Sequence, residues 1–233
     1  MIRPAAAWQR LRGALGDAGR LRSWSIDAND GIIATAGLLQ GFGGAGAGDR
    51  LLLLAASAAT LAGGLSIGGA KWAEAAAERE AQLLLVEQER AELEADLVGE
   101  IDELAAHWEA RGLRPETARQ VAEELTAHDA LAAQLEAEHG IDEIMDAAAP
   151  AWEGVSAAIA FMLGAMIPLL ITWFVPVQIE TPVIVVAVVV SLAVTSLVAA
   201  RAGHLNLRRA LLRTLTVGIG TMAVSYIAGL VLF

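Results

Sequence analysis

Five long apolar stretches constrain the fold of this chain more than any other feature. They cover residues 26–47, 51–70, 154–175, 183–200 and 210–233. Each is close to the roughly 20 helical residues needed to cross the hydrocarbon of a bilayer. The composition agrees, because 56% of the residues are hydrophobic and the mean hydropathy is +0.53. We therefore predict an all-α membrane protein with five transmembrane helices, the first of which carries polar residues at its start.

The segment between the second and third stretches, residues 72–149, differs sharply in charge from the rest of the chain. It holds 21 acidic residues and five arginines, whereas the whole chain has 27 acidic and 16 basic residues. Such a segment cannot enter hydrocarbon, so we expect an acidic insert outside the bilayer. Pro115 is typical of a helix start and Gly140 of a helix end. The insert is predicted to contain three helices, at 72–110, from Pro115 onward, and at about 128–139.

Arginines indicate the orientation, because cytosolic loops carry an excess of basic residues. With five spans, the arginines before the first span and those between the fourth and fifth fall on one side: Arg3, Arg10, Arg12, Arg20, Arg22, Arg201, Arg208, Arg209 and Arg213. The predicted order is a cytosolic leader at 1–25, spans one and two at 26–71, the insert at 72–149 and spans three to five at 150–233. We expect the N-terminus and the insert in the cytosol, the C-terminus outside, and a bacterial inner membrane as the host.

One face of the first insert helix is predicted to be acidic. At 100° per residue, six side chains fall within an arc of about 60°: Glu89, Glu92, Asp96, Glu100, Glu103 and His107. Like charges at these spacings destabilise a helix unless something neutralises them, and the insert contains no lysine. Carboxylates with one imidazole suit Fe²⁺, Mn²⁺, Ca²⁺ or Zn²⁺. The alternative is an ordinary solvated charged face.

Two aspartates, Asp27 and Asp30, lie one helical turn apart at the start of the first span. An ionisable residue at membrane depth is a candidate functional residue, here a metal or proton ligand. The alternative is that Asp30 is the N-cap of a helix that begins at Ile32.

Small residues recur at helix-packing spacing in two pairs, Gly37 with Gly41 and Gly64 with Gly68. This spacing lets helices approach closely, so each of spans one and two is expected to pack tightly against another helix or across a dimer, without the sequence indicating the partner. The alternative is that glycine is simply common in transmembrane helices.

Several classes of function are disfavoured by what the sequence lacks. The acidic insert would repel phosphates, which argues against a nucleic-acid partner. There is no cysteine, so thiolate metal sites and disulfides are excluded. The sequence contains no zinc-protease, serine-hydrolase, P-loop or dinucleotide motif. We therefore expect neither an enzyme nor an organic cofactor.

Several short motifs occur in a characteristic order along the chain. They are Asn29-Asp30-Gly31 within 28–38, Ser66-Ile67-Gly68, the segments 111–113, 118–122 and 127–131, and the segment 164–170. Together they resemble the vacuolar iron transporter family. Their order along the chain matches that of the family, and the resemblance covers about residues 22–233.

The resemblance implies a homodimer that exchanges cytosolic Fe²⁺, and often Mn²⁺, for protons. In that family a carboxylate-rich insert collects the ion. The matching positions here are the pairs Glu89/Glu92 and Glu100/Glu103, then Glu138, and Asp30 in the membrane. Co²⁺ and Zn²⁺ are further candidate ions.

The chain also departs from the family pattern. The methionine of the second helix is Ile67, an acid that often follows it is Lys71, and another glutamate falls near Ala59. The methionine pair of some third insert helices falls at Gln134 and Leu135. Three hypotheses result. The first is a proton-coupled Fe²⁺/Mn²⁺ transporter that removes metal from the cytosol, and the second is a membrane-anchored metal-binding or sensing protein with a degenerate pore. The third is a transporter of some other cation or small solute.

Overall fold

The computed structural model describes residues 18–203 and 206–232, and all regular structure in these ranges is helical. The helices are α1 (Ala18–Gly44), α2 (Asp49–Ala95), α3 (Leu97–Ala110), α4 (Pro115–His139), α5 (Ala149–Phe174), α6 (Val177–Ala202) and α7 (Leu207–Leu232). Most of the predicted leader, residues 1–17, lies outside the described residues. The chain forms two compact units. We call the described residues up to Trp72 and from Trp152 onward the membrane unit, and Ala73–Ala151 the insert unit.

Four of the described helices are long and apolar enough to cross a bilayer, namely α2, α5, α6 from Ile179 onward, and α7. The prediction of an all-α membrane protein is confirmed in this sense, whereas the count of five apolar spans is not. The first predicted span forms a helix of 27 residues, α1. Its hydropathy is low because Arg20, Arg22, Asp27 and Asp30 lie in its first half.

Although α1 is not apolar enough by itself, it is deeply packed inside the membrane unit. Ile32 and Ala36 are buried in a cluster with Ile184 and Val188 of α6. On another side α1 touches α5, where a Cβ added at Gly31 would meet the carbonyl oxygen of Phe161. Helix α7 also packs against α1. Its neighbours therefore shield much of α1 from the surroundings of the unit.

The two glycine pairs are packing positions, but they do not join α1 to α2. A Cβ added at Gly41 would lie 3.3 Å from the carbonyl oxygen of Ser225 on α7. One added at Gly68 would lie 2.8 Å from the carbonyl oxygen of Gly154 on α5. The predicted close packing at these glycines is confirmed, and the partner of each pair is a later helix of the same chain, α7 for Gly37 and Gly41 and α5 for Gly64 and Gly68.

Helix α2 links the two units without interruption. Its 47 residues are about 70 Å long at 1.5 Å per residue. The hydrocarbon core of a bilayer is only about 30 Å thick. The apolar stretch 51–70 is thus long enough to cross the hydrocarbon, whereas the second half of α2 is rich in charged side chains.

The helix predicted at 72–110 is broken at Asp96. Helix α2 ends one residue before it and α3 begins one residue after it. Asp96 has φ −149° and ψ 73°, and its Oδ1 accepts a hydrogen bond of 2.9 Å from the backbone N–H of Gly99. An aspartate competes for backbone donors in this way and favours an N-cap over a helix interior. The apolar periodicity continues across the break, which is why the sequence pattern predicted one helix.

Helix α4 combines the second and third predicted insert helices. It begins at Pro115 and ends before Gly140, which adopts φ 65° as a left-handed C-cap, and both ends were predicted. A non-helical residue, Asp129, divides it, and the Asp129 Oδ1 accepts a hydrogen bond from the N–H of Ala132. Helices α3 and α4 pack together around a small apolar cluster that includes Leu104.

The segment that leaves the insert is fastened to α2 by two side chains. Arg79 Nε donates to the backbone carbonyl oxygen of Met145 at 3.0 Å. The backbone N–H of Met145 donates to Gln82 Oε1 at 2.9 Å. Both backbone groups of Met145 are thus satisfied by neighbours one helical turn apart. We call this pair of contacts the Met145 clamp.

Candidate metal centre

Glu89 is the central residue of the candidate site in the insert unit. It lies on the charged half of α2 and is only 1% exposed. Neither of its carboxylate oxygens has a hydrogen-bond partner among the described residues. Isolated buried carboxylates are costly unless they are paired, protonated or bound to a cation. The position of Glu89 therefore indicates either a retained proton or a cation.

The surroundings of Glu89 add like charges. Burial, together with the neighbouring carboxylates of Glu138, Glu100 and Glu92, raises the pKa of Glu89 to about 7. Burial and neighbouring carboxylates also raise the pKa of Glu100 and that of Glu138. With a pKa of about 7, Glu89 changes its charge near neutral pH.

The acidic side chains form two groups whose ligand atoms are close enough to share an ion. Single ligand atoms of Glu89, Glu138 and His139 all lie within 4.8 Å of one another, and the same holds for Glu100, Glu103 and Glu138. Ligands at 2.0–2.6 Å from one cation are at most about 5 Å apart. Glu138 belongs to both groups, so the two groups form one continuous centre built from α2, α3 and α4.

His139 is a ligand candidate that the sequence analysis missed. Its Nε2 lies 3.8 Å from Glu89 Oε2. The predicted ligands of the acidic face share one face of a single helix, whereas His139 lies on a different helix, at the end of α4. Its position next to Glu138 was the only sequence signal that pointed to it.

The remaining predicted residues of the acidic face take other positions. Glu92 accepts a hydrogen bond of 3.0 Å from Gln88 Nε2 and acts on the centre through its charge. Asp96 caps α3, so its carboxylate already has a structural task. His107 lies outside both groups, with its ring edge-on to Trp108 at 5.6 Å between centroids. The break at Asp96 ends the continuous face on which the sequence placed these residues.

In the membrane unit, Asp27 and Asp30 both lie inside α1, nine or more residues after its start. The alternative of Asp30 as an N-cap is therefore excluded. Asp27 is buried at 6% exposure, whereas Asp30 is exposed in the single chain. Lys71 of α2 and Glu153 of α5 are close enough to Asp27 to act on its charge. Glu153 was also missed, because the third span was predicted to begin one residue after it.

A hydrogen bond joins the polar part of α1 to α6. The hydroxyl of Thr195 donates to Asn29 Oδ1. Polar groups from α1, α2, α5 and α6 thus lie in the membrane unit together with the two aspartates.

Known proteins are similar to this chain over most of its length. The profile of the VIT family matches residues 21–230. A protein named vacuolar iron transporter from Acanthamoeba castellanii is 34% identical over 173 residues. The match covers 74% of this chain and 63% of that protein, so the chain spans somewhat less than two thirds of the relative's length.

Proposed function

This chain belongs to the VIT family, and from that premise we propose that it transports divalent metal ions across a membrane, with the insert as the site that collects them. The observation that carries the proposal is the buried Glu89, whose oxygens lack partners and which is surrounded by carboxylates from three helices. A bound divalent cation offsets the free-energy cost of burying the Glu89 charge and also the repulsion between the carboxylates.

Proton exchange fits the chemistry of the same centre. A carboxylate with a pKa of about 7 holds a proton in slightly acidic solution and releases it when a metal ion binds. Metal binding would therefore displace protons at neutral pH. This supports antiport of metal and protons as the coupling mode that we propose.

We propose that α1 crosses the bilayer as a fifth span in spite of its low hydropathy. Helices that face the interior of a membrane bundle tolerate ionisable residues, and α1 packs against α5, α6 and α7. The N-terminus and the insert would then be cytosolic and the C-terminus outside. A reporter fused after the last residue should be found on the outer side and one inserted beside Arg114 on the cytosolic side. If both are on one side, α1 does not cross.

A homodimer fits the exposure of Asp30. A carboxylate on a membrane helix that faces lipid is costly, yet Asp30 is exposed in the single chain. A second copy packed over this face of α1 would shield it. We propose that ions pass along this face and that Asp30 alternates between metal ion and proton.

Fe²⁺ and Mn²⁺ are the ions we propose, because the insert offers oxygen ligands and one imidazole and the relative is named as an iron transporter. The direction would be out of the cytosol of a bacterial-type cell, across its inner membrane. Flux of Fe²⁺ and Mn²⁺ into proteoliposomes under an imposed proton gradient tests this directly. Flux equal to that of empty vesicles for Fe²⁺, Mn²⁺, Co²⁺ and Zn²⁺ would refute the transporter.

The second candidate is a membrane-anchored metal-binding or sensing protein, and Lys71 favours it. Its ammonium acts on Asp27 and so competes with a metal ion for that carboxylate. A transporter with an impaired pathway should gain Fe²⁺ flux when Lys71→Glu is combined with Ile67→Met, whereas Lys71→Arg, which keeps the charge, should not. An anchored binder shows no flux in any of these variants.

A further inference from the structure

Gln134 is as deeply buried as Glu89, at 1% exposure, and lies on α4 within the insert unit. Its Nε2 lies 2.7 Å from the backbone carbonyl oxygen of Glu100 and 2.8 Å from the Glu100 carboxylate. A carbonyl and an ionised carboxylate only accept hydrogen bonds, so the amide nitrogen must be the atom that faces them. The neighbours thus fix the orientation of the amide.

This orientation leaves the amide oxygen with no protein partner. Gln134 Oε1 is fully buried and makes no hydrogen bond with the described residues. Native structures rarely leave a buried carbonyl oxygen unsatisfied, and such an atom calls for an explanation. An oxygen of this kind is a neutral, hard donor that can coordinate a cation.

The position of this oxygen matches the candidate metal centre. The two terminal atoms of an amide are about 2.2 Å apart, so Gln134 Oε1 is within about 5 Å of the Glu100 carboxylate oxygen that Nε2 contacts. Glu100 shares an ion-sized group with Glu103 and Glu138. Two ligands of one cation can be separated by such a distance.

We propose that Gln134 positions Glu100 through Nε2 and coordinates the bound divalent ion through Oε1, which makes the centre selective for hard over soft cations. This inference rests on the proposed function, because it assumes that the insert binds metal. With Gln134 included, the centre offers carboxylate and amide oxygens with one imidazole, and no sulfur. Such a set favours Mn²⁺ over a soft ion such as Cd²⁺.

The test exchanges the donor atom at constant side-chain size. The full chain in nanodiscs is titrated with MnCl₂ and with CdCl₂ by calorimetry, as parent, Gln134→Met and Gln134→Leu. Both substitutions suit a buried helix position and remove the hydrogen bonds to Glu100, but only methionine offers a sulfur ligand. The matched control is Gln120→Met, at an exposed position of the same helix.

We expect Mn²⁺ affinity to fall about tenfold or more in both variants, the size typical for lost ligands and their supports. Cd²⁺ affinity should stay near that of the parent in Gln134→Met and fall in Gln134→Leu, while Gln120→Met behaves as the parent. Equal Cd²⁺ affinities in the two variants would overturn the assignment of Oε1 as a ligand.

The same titrations separate this inference from its premise. Parent-like Mn²⁺ binding in both variants would overturn the role of Gln134 and leave the insert as a metal site. A parent that binds neither ion would overturn the proposed function and this inference with it. Thermal unfolding of each metal-free variant shows whether a loss of binding comes from misfolding.

Discussion

The buried carboxylates of the insert unit and of the membrane unit differ in the charges that surround them. In the insert, Glu89 is surrounded by like charges, its oxygens accept no hydrogen bond from the described residues, and the one nearby basic group among them is the imidazole of His139 at 3.8 Å. In the membrane unit, Asp27 has a lysine close to it that offsets the charge of Glu153 and Asp30. A site that must attract ions gains from uncompensated charge, whereas a carboxylate at membrane depth is stable only with compensation. This contrast fits the capture of ions by the insert and the passage of ions through the membrane unit that we propose.

The largest effect is expected from Asp30→Asn, which separates passage from capture. If ions pass Asp30, metal flux in proteoliposomes should fall to the level of empty vesicles while calorimetric binding by the insert is unchanged. Asp49→Asn, at an exposed aspartate at the start of α2, is the control and should keep its flux. Flux that survives Asp30→Asn would show that the membrane unit conducts ions without this carboxylate.

The next effect concerns capture alone. Changing Glu89, Glu92, Glu100 and Glu103 together to Gln should abolish Mn²⁺ binding by the insert in the full chain, because most of the oxygen ligands lose their charge. The matched control removes four exposed charges elsewhere in the insert unit, at Glu87, Glu94, Glu109 and Glu124. Equal Mn²⁺ affinity in the two quadruple variants would mean that only the overall charge of the insert matters.

A smaller effect is the pH dependence of stability without metal. Glu89 has an ordinary pKa of 4.5, raised in the folded chain to about 7. The folded state therefore holds more protons than the unfolded state between these values, and the contribution of Glu89 to stability is lost as pH rises through this window. The melting temperature of the metal-free chain should fall by a few degrees from pH 5 to pH 7.5.

Two comparisons isolate Glu89 in that measurement. The variant Glu89→Gln should flatten the pH dependence, and Glu94→Gln, at an exposed position of the same helix, should not. Saturating Mn²⁺ should raise the melting temperature at pH 7.5 more than at pH 5, because protons compete with the metal at low pH. A melting temperature that rises with pH in the metal-free parent would contradict the raised pKa.

The smallest effect is expected at Asp96, where capping and metal binding make different predictions. As an N-cap, Asp96→Ala should lower the stability of the insert unit by about 1 kcal/mol, and Asp96→Ser should restore most of it. Neither change should alter Mn²⁺ affinity more than about twofold, because Asp96 lies outside both ligand groups. A tenfold loss of Mn²⁺ affinity in Asp96→Ser would show that Asp96 is part of the metal centre.

Much of the architecture follows from local sequence signals. The excess of acids over 72–149 marks the insert, and Pro115 and Gly140 mark the ends of α4 because proline and glycine act through backbone geometry alone. The break at Asp96 was hidden, since a capping aspartate and a charged aspartate on a helix face look identical in a sequence. Asp27 and Asp30 explain the low hydropathy of α1 from the sequence alone. The sequence did not show that α1 packs against several other helices.

The candidate site was only half visible for a related reason. Glu89, Glu100 and Glu103 follow one another at helical spacing, so a single-helix pattern finds them. His139, Gln134 and Glu153 join their clusters through contacts between helices distant in sequence. Such contacts depend on tertiary packing, which no periodicity within one segment reports.

The Met145 clamp has a consequence for how such a chain can be rearranged. Arg79 and Gln82 bind both backbone groups of Met145. The segment that enters the insert and the segment that leaves it are therefore in contact at these residues. A short turn that joins residue 82 to residue 145 would span a distance the structure already closes, and segments with adjacent ends are the ones domains gain or lose most readily. Residues 83–144 are thus a segment whose two ends lie side by side, so a short turn can replace them without moving the ends.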